Sequence, residues 1–241
     1  MSTGTGAPFV LVNMAMSADG KIATANRAVT TFGSASDQEH LHALRATCDA
    51  IVCGARTVEE TDATLGNGPA RHRRARLRRG LAESPLRVVV SGTGSISPSA
   101  AIWAERSSPI VLLTGARVGP AKMARLRALA DHVWSSPGDD LDLVAAFGWL
   151  RSRFGVRRLV CEGGGGLNDA LFRAGVVDEV HLTQCPRVFG GRSAPTIAEG
   201  IGFPRLADAA RFSLVSAKRR GDEMFLVYRA DRQAGRPGLT S

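Results

Sequence analysis

The run Arg158-Leu-Val-Cys-Glu162-Gly163-Gly164-Gly165-Gly166-Leu167-Asn-Asp-Ala-Leu171 places an apolar strand, a carboxylate, four glycines and a helix in that order. This is the composition of a phosphate cradle. Glycine has no β-carbon, so the backbone can take turns closed to other residues and bring several N–H donors against a ligand's oxygens. A helix that starts there turns its positive end toward the same place. A tight strand-to-helix connection without any ligand has the same composition, because glycine marks turns generally. Glu162 favours the functional alternative, since an acidic group that ends an apolar strand needs a partner or a ligand. The order is not G-x-G-x-x-G, and it lies late in the chain rather than after the first strand.

A sheet has to carry this cradle. Residues 9–16 are a near-continuous apolar run, as a strand buried on both faces requires. Ser17-Ala-Asp19-Gly20-Lys21 reads as a loop. Ser36-Asp-Gln-Glu39 is a capping box followed by Leu41, Leu44 and Arg45 at helical spacing, which predicts a helix ending near Thr47. Residues 49–54 form the second strand, and a helix is expected to open from Thr57 as its cap. Leu86–Ser91 and Ile110–Thr114 repeat the strand pattern, each ending in a hydroxyl residue before a glycine. Helical periodicity near 121–130 and 141–154 brackets a short strand at Val133-Trp134. Leu167–Ala174 is helical, Glu179–Cys185 is a strand, and 212–218 with 224–229 make a terminal hairpin. The expected fold class is α/β: a mostly parallel central sheet flanked by helices, with a C-terminal antiparallel hairpin. Sheets of this kind bind ligands at the carboxyl ends of their strands. Thr57, Ser91, Thr114 and Glu162 with its glycines would converge there.

The 241 residues, 44% of them hydrophobic, are enough to bury a full core. One domain is expected over 9–229, between tails at 1–8 and 230–241. No apolar run is long enough to span a bilayer, and the N-terminus lacks the order of a secretion signal. The expectation is a soluble, cytoplasmic protein with no membrane partner. Cys48, Cys53, Cys161 and Cys185 are widely spaced in or beside apolar segments, which makes them reduced core residues rather than metal or disulfide ligands, and no metal site is expected. The formal charge of +9 invites a nucleic-acid partner. Much of the excess lies in Arg71-His-Arg73-Arg74-Ala-Arg76-Leu-Arg78-Arg79, with no aromatics interleaved to stack bases, so no nucleic-acid partner is expected. The run reads as a solvated surface segment, with attraction of an anionic small ligand as the alternative.

Taken together, Asn13-Met-Ala15-Met-Ser17-Ala-Asp19-Gly20-Lys21-Ile22-Ala23, Leu44-Arg45-Ala-Thr-Cys-Asp49-Ala50-Ile51, Gly54-Ala-Arg-Thr57-Val58 and Glu162-Gly-Gly-Gly resemble the reductase domain of riboflavin biosynthesis, from about Phe9 to Arg229. The resemblance implies a dihydrofolate reductase-like fold. It also implies reduction of a ribosylamino-pyrimidine 5′-phosphate to the ribitylamino product with NADPH. The sugar amine opens to an imine and hydride attacks its C1′, so catalysis rests on positioning and on keeping water away. Bifunctional relatives carry a zinc deaminase before the reductase. This sequence has no H-x-E with P-C-x-x-C, so a separate deaminase is the expected partner in the pathway. Pairing through a sheet edge is common in the family, and a homodimer is expected.

The resemblance assigns cofactor contacts to Ala15, Thr57, Thr61, Ser91, Gly163, Gly164, Gly165, Gly166, Leu167 and Asn168. Substrate contacts fall to Arg45, Leu65 and Glu162, and a catalytic rim to Asp19, Lys21 and Glu162. Plainer alternatives stand beside these: Arg45 paired with Asp49, Thr57 only a cap, Asp19-Gly20 only a turn. One segment departs from the family's T-V-x-x-D-D-P-x-L-T-x-R. Thr61 stands for the first aspartate, Ala63 for the proline and Gly68 for the final arginine. That arginine would hold the substrate's phosphate, a role for which Arg71 and Arg73 are the substitutes nearest in sequence. The departure keeps two rivals in view: a reductase of the same fold acting on a pterin or dihydrofolate, and a nucleotide or nucleic-acid binder without redox chemistry.

Overall fold

The strands at Phe9–Ser17, Ala50–Gly54, Leu86–Ser91 and Ile110–Thr114 are largely apolar runs whose alternate residues point to opposite faces. The computed structural model describes residues 6–28, 31–66 and 68–231. In chain order the elements are β1 (Phe9–Ser17), α1 (Ala35–Arg45), β2 (Ala50–Gly54), α2 (Ala55–Glu60), α3 (Ala70–Arg78), β3 (Leu86–Ser91), β4 (Ile110–Thr114), α4 (Pro120–Leu129), β5 (His132–Ser135), α5 (Leu143–Phe154), β6 (Arg158–Cys161), α6 (Gly165–Arg173), β7 (Glu179–Cys185), β8 (Phe212–Arg220) and β9 (Glu223–Ala230). The strands form one sheet in the order β5-β4-β3-β2-β6-β1-β7-β9-β8. Pairing is parallel from β5 to β7 and antiparallel where β9 and β8 join. The period of two sends Val10, Val12, Ala50 and Val52 to a core shared with Phe147 and Leu150 of α5 and Leu167 and Leu171 of α6. Leu11, Ile51 and Cys53 go to the other face, with Leu44 of α1, Val58 of α2 and Leu126 of α4. All four cysteines are buried and free. No helix among the described residues is long and apolar enough to cross a membrane.

Three local expectations are corrected. The cap of α1 is Ser34, not Ser36: its Oγ accepts the N–H of Ser36 at 3.1 Å and of Asp37 at 3.4 Å. A long-range contact selects this serine, because the Glu223 carboxylate takes its backbone N–H at 2.7 Å and its hydroxyl at 2.5 Å. Thr57 is not a cap either; α2 starts directly from β2 at Ala55 with Gly54 before it, leaving the threonine hydroxyl free for a tertiary role. Third, the arginine run is the helix α3. Its repeat sets His72 and Arg76 inward, and Arg76 is 1% exposed. The Arg76 guanidinium donates to the carbonyls of Arg45 and Cys48 at 2.6 Å each and of Ala82 at 2.9 Å, taking up acceptors left open at the end of α1. Arg87 on β3 is also fully enclosed, donating to the carbonyls of Thr64, Ile102, Glu105 and Ser108. Expected tail residues Ala230 and Asp231 are still hydrogen-bonded, to Asp178 and Arg211, while 232–241 lie outside the described residues.

Candidate active site

Chain reversal after β1, β2, β3 and β6 leaves a cleft of about 890 Å³ at the carboxyl ends of those strands. At its floor lies an ion pair. Glu162 follows β6, where its N–H is held by the Val52 carbonyl, and its carboxylate meets Arg45 at the end of α1. Nε to Oε1 and Nη2 to Oε2 are both 2.6 Å, a bidentate pair, and Nη1 donates to the Gly66 carbonyl at 3.1 Å. The two side chains are 14% and 11% exposed. Burial opposes the Arg45 charge, but the Glu162 carboxylate outweighs it and holds the guanidinium above its ordinary value. Asp49 is not Arg45's partner. It accepts the backbone N–H of Arg157 and Arg158 at 2.8 and 2.9 Å.

The glycine run does two separable jobs. Gly163 has φ +92° and is tucked under Met14, with its carbonyl taking the Gly54 N–H. Gly164 donates to Thr57 Oγ1 at 2.9 Å, and a β-carbon there would lie 2.5 Å from that oxygen. At Gly165 a β-carbon would lie 2.7 Å from the Thr196 carbonyl. These glycines are required by the protein's own packing. Gly166 is different: it is exposed, and the nearest atom to its β-position is 3.5 Å away. Helix α6 has no side-chain cap, and the first N–H groups of the helix, at Gly165, Gly166 and Leu167, have no acceptor among the described residues. A turn that excludes side chains, opening onto a cleft with free donors, fits a diphosphate.

The cleft brings together Ala15, Arg45, Thr57, Thr61, Leu65, Ser91, Glu162, Gly164, Gly165, Gly166 and Leu167. Leu65 is buried with φ +54°, a left-handed backbone uncommon for leucine, inside the segment that departs from the family pattern. Other expected residues lie elsewhere. Asn168 is fully buried and donates to the Ile197 carbonyl. Asp19 closes a loop by accepting from Ser17 Oγ and from the N–H groups of Phe189 and Gly190, and its carboxyl is lowered to about 2, chiefly by the Ser17 hydrogen bond. Lys21 donates to the Ala194 carbonyl at 3.1 Å, while the next residues, Ile22 and Ala23, line the cleft. Thr114 is enclosed behind the rim. Arg71 pairs with Glu39 at the surface. Arg73 pairs with Glu83 at 3.2 Å and faces a second pocket, of about 360 Å³, that it shares with Arg45, Thr64, Gly66, Gly68 and Glu105.

The cleft also holds residues that the sequence patterns did not single out. Asp37, in the first turn of α1, is 6% exposed and lines it. Burial raises its carboxyl above the usual range, and the charge of Glu223 adds to the rise. Asn13 lines the cleft from β1 with a buried Oδ1 that has no partner. A lone amide inside an apolar strand was the available signal for Asn13. Asp37 was hidden within a capping pattern.

The mostly parallel sheet, its C-terminal antiparallel hairpin and a cleft over the strands' carboxyl ends agree with the dihydrofolate reductase-like fold that the resemblance implies. The sequence profile of the RibD C-terminal domain matches residues 8–226, and the chain belongs to that family. It is 33% identical to the 2,5-diamino-6-ribosylamino-4(3H)-pyrimidinone 5′-phosphate reductase of Methanothermobacter thermautotrophicus, covering 92% of this chain and 97% of that one. The protein of the same name from Archaeoglobus fulgidus is 34% identical over 81% of this chain and 88% of its own. In fold it is similar to a pyrimidine reductase-like protein of Corynebacterium diphtheriae, with a TM-score of 0.77 at 20% identity over 93% of this chain and 92% of that one. Acinetobacter baumannii RibD gives a TM-score of 0.74 at 20% identity, over 94% of this chain but 59% of that longer one.

Proposed function

We propose that this chain is the pyrimidine reductase of riboflavin biosynthesis, reducing a ribosylamino-pyrimidine 5′-phosphate to its ribitylamino product with NADPH. One observation carries the reading: an uncapped glycine helix start and a buried Arg45–Glu162 pair share one cleft. When bound, the cofactor supplies a hydride. In the substrate, the C1′–O4′ bond opens, its electron pair goes to O4′, which takes a proton, and the amine nitrogen forms a double bond to C1′. Hydride then adds to C1′ while the double-bond pair returns to nitrogen, which keeps the proton it already carries, so that one hydride and one proton are gained in all.

On this reading the N–H groups of Gly165, Gly166 and Leu167 hold the diphosphate, with Gly164 fixed behind them by Thr57. Ala15, a small residue near the end of β1, leaves room for the nicotinamide ring. Arg45, Glu162 and Leu65 orient the pyrimidine, and their burial keeps water from C1′. Asp37, 6% exposed in the first turn of α1, orients the opened sugar by hydrogen bonding from the cleft wall. Asp19 and Lys21 act by fixing the loop that carries Ile22 and Ala23 into the cleft. For the 5′-phosphate, Arg73 is better placed than Arg71, because it shares a pocket with Arg45. The exposed edge strand β8, with Leu214 and Val215 each more than half exposed, supports a homodimer. Cytoplasmic location and a separate deaminase complete the reading.

The test is loss of NADPH absorbance with the phosphorylated pyrimidine. Turnover that instead requires a pterin or dihydrofolate would transfer the fold's chemistry to that substrate, an outcome to which the altered segment 61–68 points. Asp37→Asn should lower kcat and leave the cofactor's dissociation constant unchanged.

A further inference from the structure

Helix α1 supplies Asp37, Gln38, Leu41 and Arg45 to the cleft wall, yet a long connection from β1 delivers it rather than a tight turn. A helix so delivered needs ties to the sheet at both ends. At its C-terminal end the tie is Glu162, which meets Arg45 inside the cleft. At its start the tie is Glu223, the first residue of β9, which is 5% exposed and does not line the cleft. The Glu223 carboxylate has no ion pair among the described residues. It takes the Ser34 N–H at 2.7 Å and the Ser34 hydroxyl at 2.5 Å, and Cys185 Sγ lies 3.5 Å from its Oε1. Pairing with Arg220 of β8, and of the next residue Met224 with Gln184 of β7, fixes Glu223 in the sheet.

A serine caps a helix without such help. A buried carboxylate is costly unless its lone pairs are used, and charge-assisted hydrogen bonds are about twice as strong as neutral ones. The charge therefore fixes where the capped turn stands, beyond closing the cap. Gly33, just before the cap, lines the cleft, and a β-carbon there would overlap the Asp37 carboxylate. The anchored turn and the Asp37 side chain thus move together. We propose that Glu223 is a positioning residue of the reaction: by holding Ser34 it sets the first turn of α1, and so the place of the Asp37 carboxyl on the cleft wall. The inference rests on the reading that gives Asp37 a hold on the sugar, and it adds a residue outside the cleft on which turnover depends.

Glu223→Gln keeps the shape and removes the charge. In the full chain, amide exchange at Ser36 and Asp37, followed by NMR, should quicken by about tenfold. Turnover of the phosphorylated pyrimidine should fall on the order of ten- to hundredfold in kcat, the effect of a displaced positioning group. The NADPH dissociation constant should hold, because α6 is untouched. Ser34→Asp separates the link from the cap, since aspartate caps as well as serine but sets a carboxylate against Glu223. It should be as slow as Glu223→Gln. Combining the two should restore turnover, because the glutamine amide can donate to the new carboxylate. Ser34→Asp at wild-type turnover, or Glu223→Gln with unchanged exchange at Ser36 and Asp37, overturns the inference. A fall in NADPH affinity matching the fall in kcat also overturns it, as general damage to the fold. If Glu223→Gln does not fold, the turnover and amide exchange of Ser34→Asp decide alone. Asp37→Asn keeps the two readings apart: if it is slow while Glu223→Gln runs at full speed, only the inference falls, and if it turns over like the wild type, the role of Asp37 falls first and takes the inference with it.

Discussion

Adding a single methyl group at each of two adjacent glycines separates ligand binding from packing. At Gly166 the β-position is open, its nearest atom being the Glu199 carbonyl at 3.5 Å, which is ordinary contact. The residue lies in the first turn of α6, so Gly166→Ala should not weaken the fold and should gain up to ~1 kcal/mol from backbone entropy. For a chain of this length that is a rise of roughly 2–4 °C in Tm. The same methyl would stand among the free N–H donors, where the diphosphate has to approach. NADPH affinity should therefore fall by about tenfold or more, ~1.4 kcal/mol. Gly165→Ala reverses the pattern of stability. Its β-carbon would meet the Thr196 carbonyl at 2.7 Å and the Glu199 nitrogen at 3.1 Å, backbone atoms that move only with their loop. Overpacking of this kind costs about 1–3 kcal/mol. Scanning calorimetry gives the stabilities and quenching of protein fluorescence the affinities. If Gly166→Ala binds NADPH as tightly as the wild type, the diphosphate does not sit on the start of α6. If Gly165→Ala melts no lower than the wild type, the packing argument fails.

Other perturbations probe the supports of the site. Glu162→Gln leaves the Arg45 charge buried without a counter-charge, with one neutral amide oxygen and the Gly66 carbonyl as acceptors; a stability loss approaching roughly 3–5 kcal/mol in urea titration is expected, and a variant as stable as the wild type would mean the pair is solvated. Arg76→Ala strips the donors from the carbonyls of Arg45, Cys48 and Ala82, so a loss of several times the ~1 kcal/mol of an ordinary hydrogen bond is expected, together with reduced turnover, because the Arg45 backbone is one of the three. His40 donates to or accepts from His181 at 3.1 Å, and burial followed by the His181 charge pushes it from 6.5 down to about 4. The unfolded chain then binds a proton that the folded chain refuses between those values, so wild-type stability should fall, relative to His40→Gln, as pH drops from about 6.5 toward 4. Parallel curves for the two proteins would contradict the assignment.

The strands were legible because burial on both faces writes itself as uninterrupted apolar runs: Phe9–Ser17, Leu86–Ser91 and Ile110–Thr114 are visible before any fold is known. The Glu162-glycine run was legible for the same reason, since a carboxylate and consecutive glycines are out of place at the end of a core strand. What escaped depends on contacts distant in sequence. Ser34 and Ser36 are equally good caps locally, and Glu223, almost two hundred residues away, decides between them. Thr57 has the sequence of a cap, yet its hydroxyl serves Gly164 across the sheet. Arg76 sits among arginines that do face solvent, and local rules assign guanidinium groups to the surface; only the open carbonyls of Arg45 and Cys48 call it inward. The Arg45–Glu162 pair was assembled as two separate substrate contacts, because nothing in residue spacing shows that the end of α1 meets the end of β6.

The interior positions of Arg76 and Arg87 bear on how this chain can be re-engineered. A calculated isoelectric point near 10.6 counts every guanidinium as though solvent felt it. Two of those guanidiniums are enclosed among carbonyl oxygens; they add to the net charge but cannot touch a partner, so direct non-specific contacts of the native protein are made by a smaller, outward-facing subset. Redesign toward a neutral variant for crystallisation or formulation therefore has a natural order of work. Arg74, Arg78 and Arg79 are exposed and open to replacement by glutamate or glutamine. Arg76, in the middle of the same run, and Arg87, on an inner strand, belong with the leucines and valines as residues not to be touched.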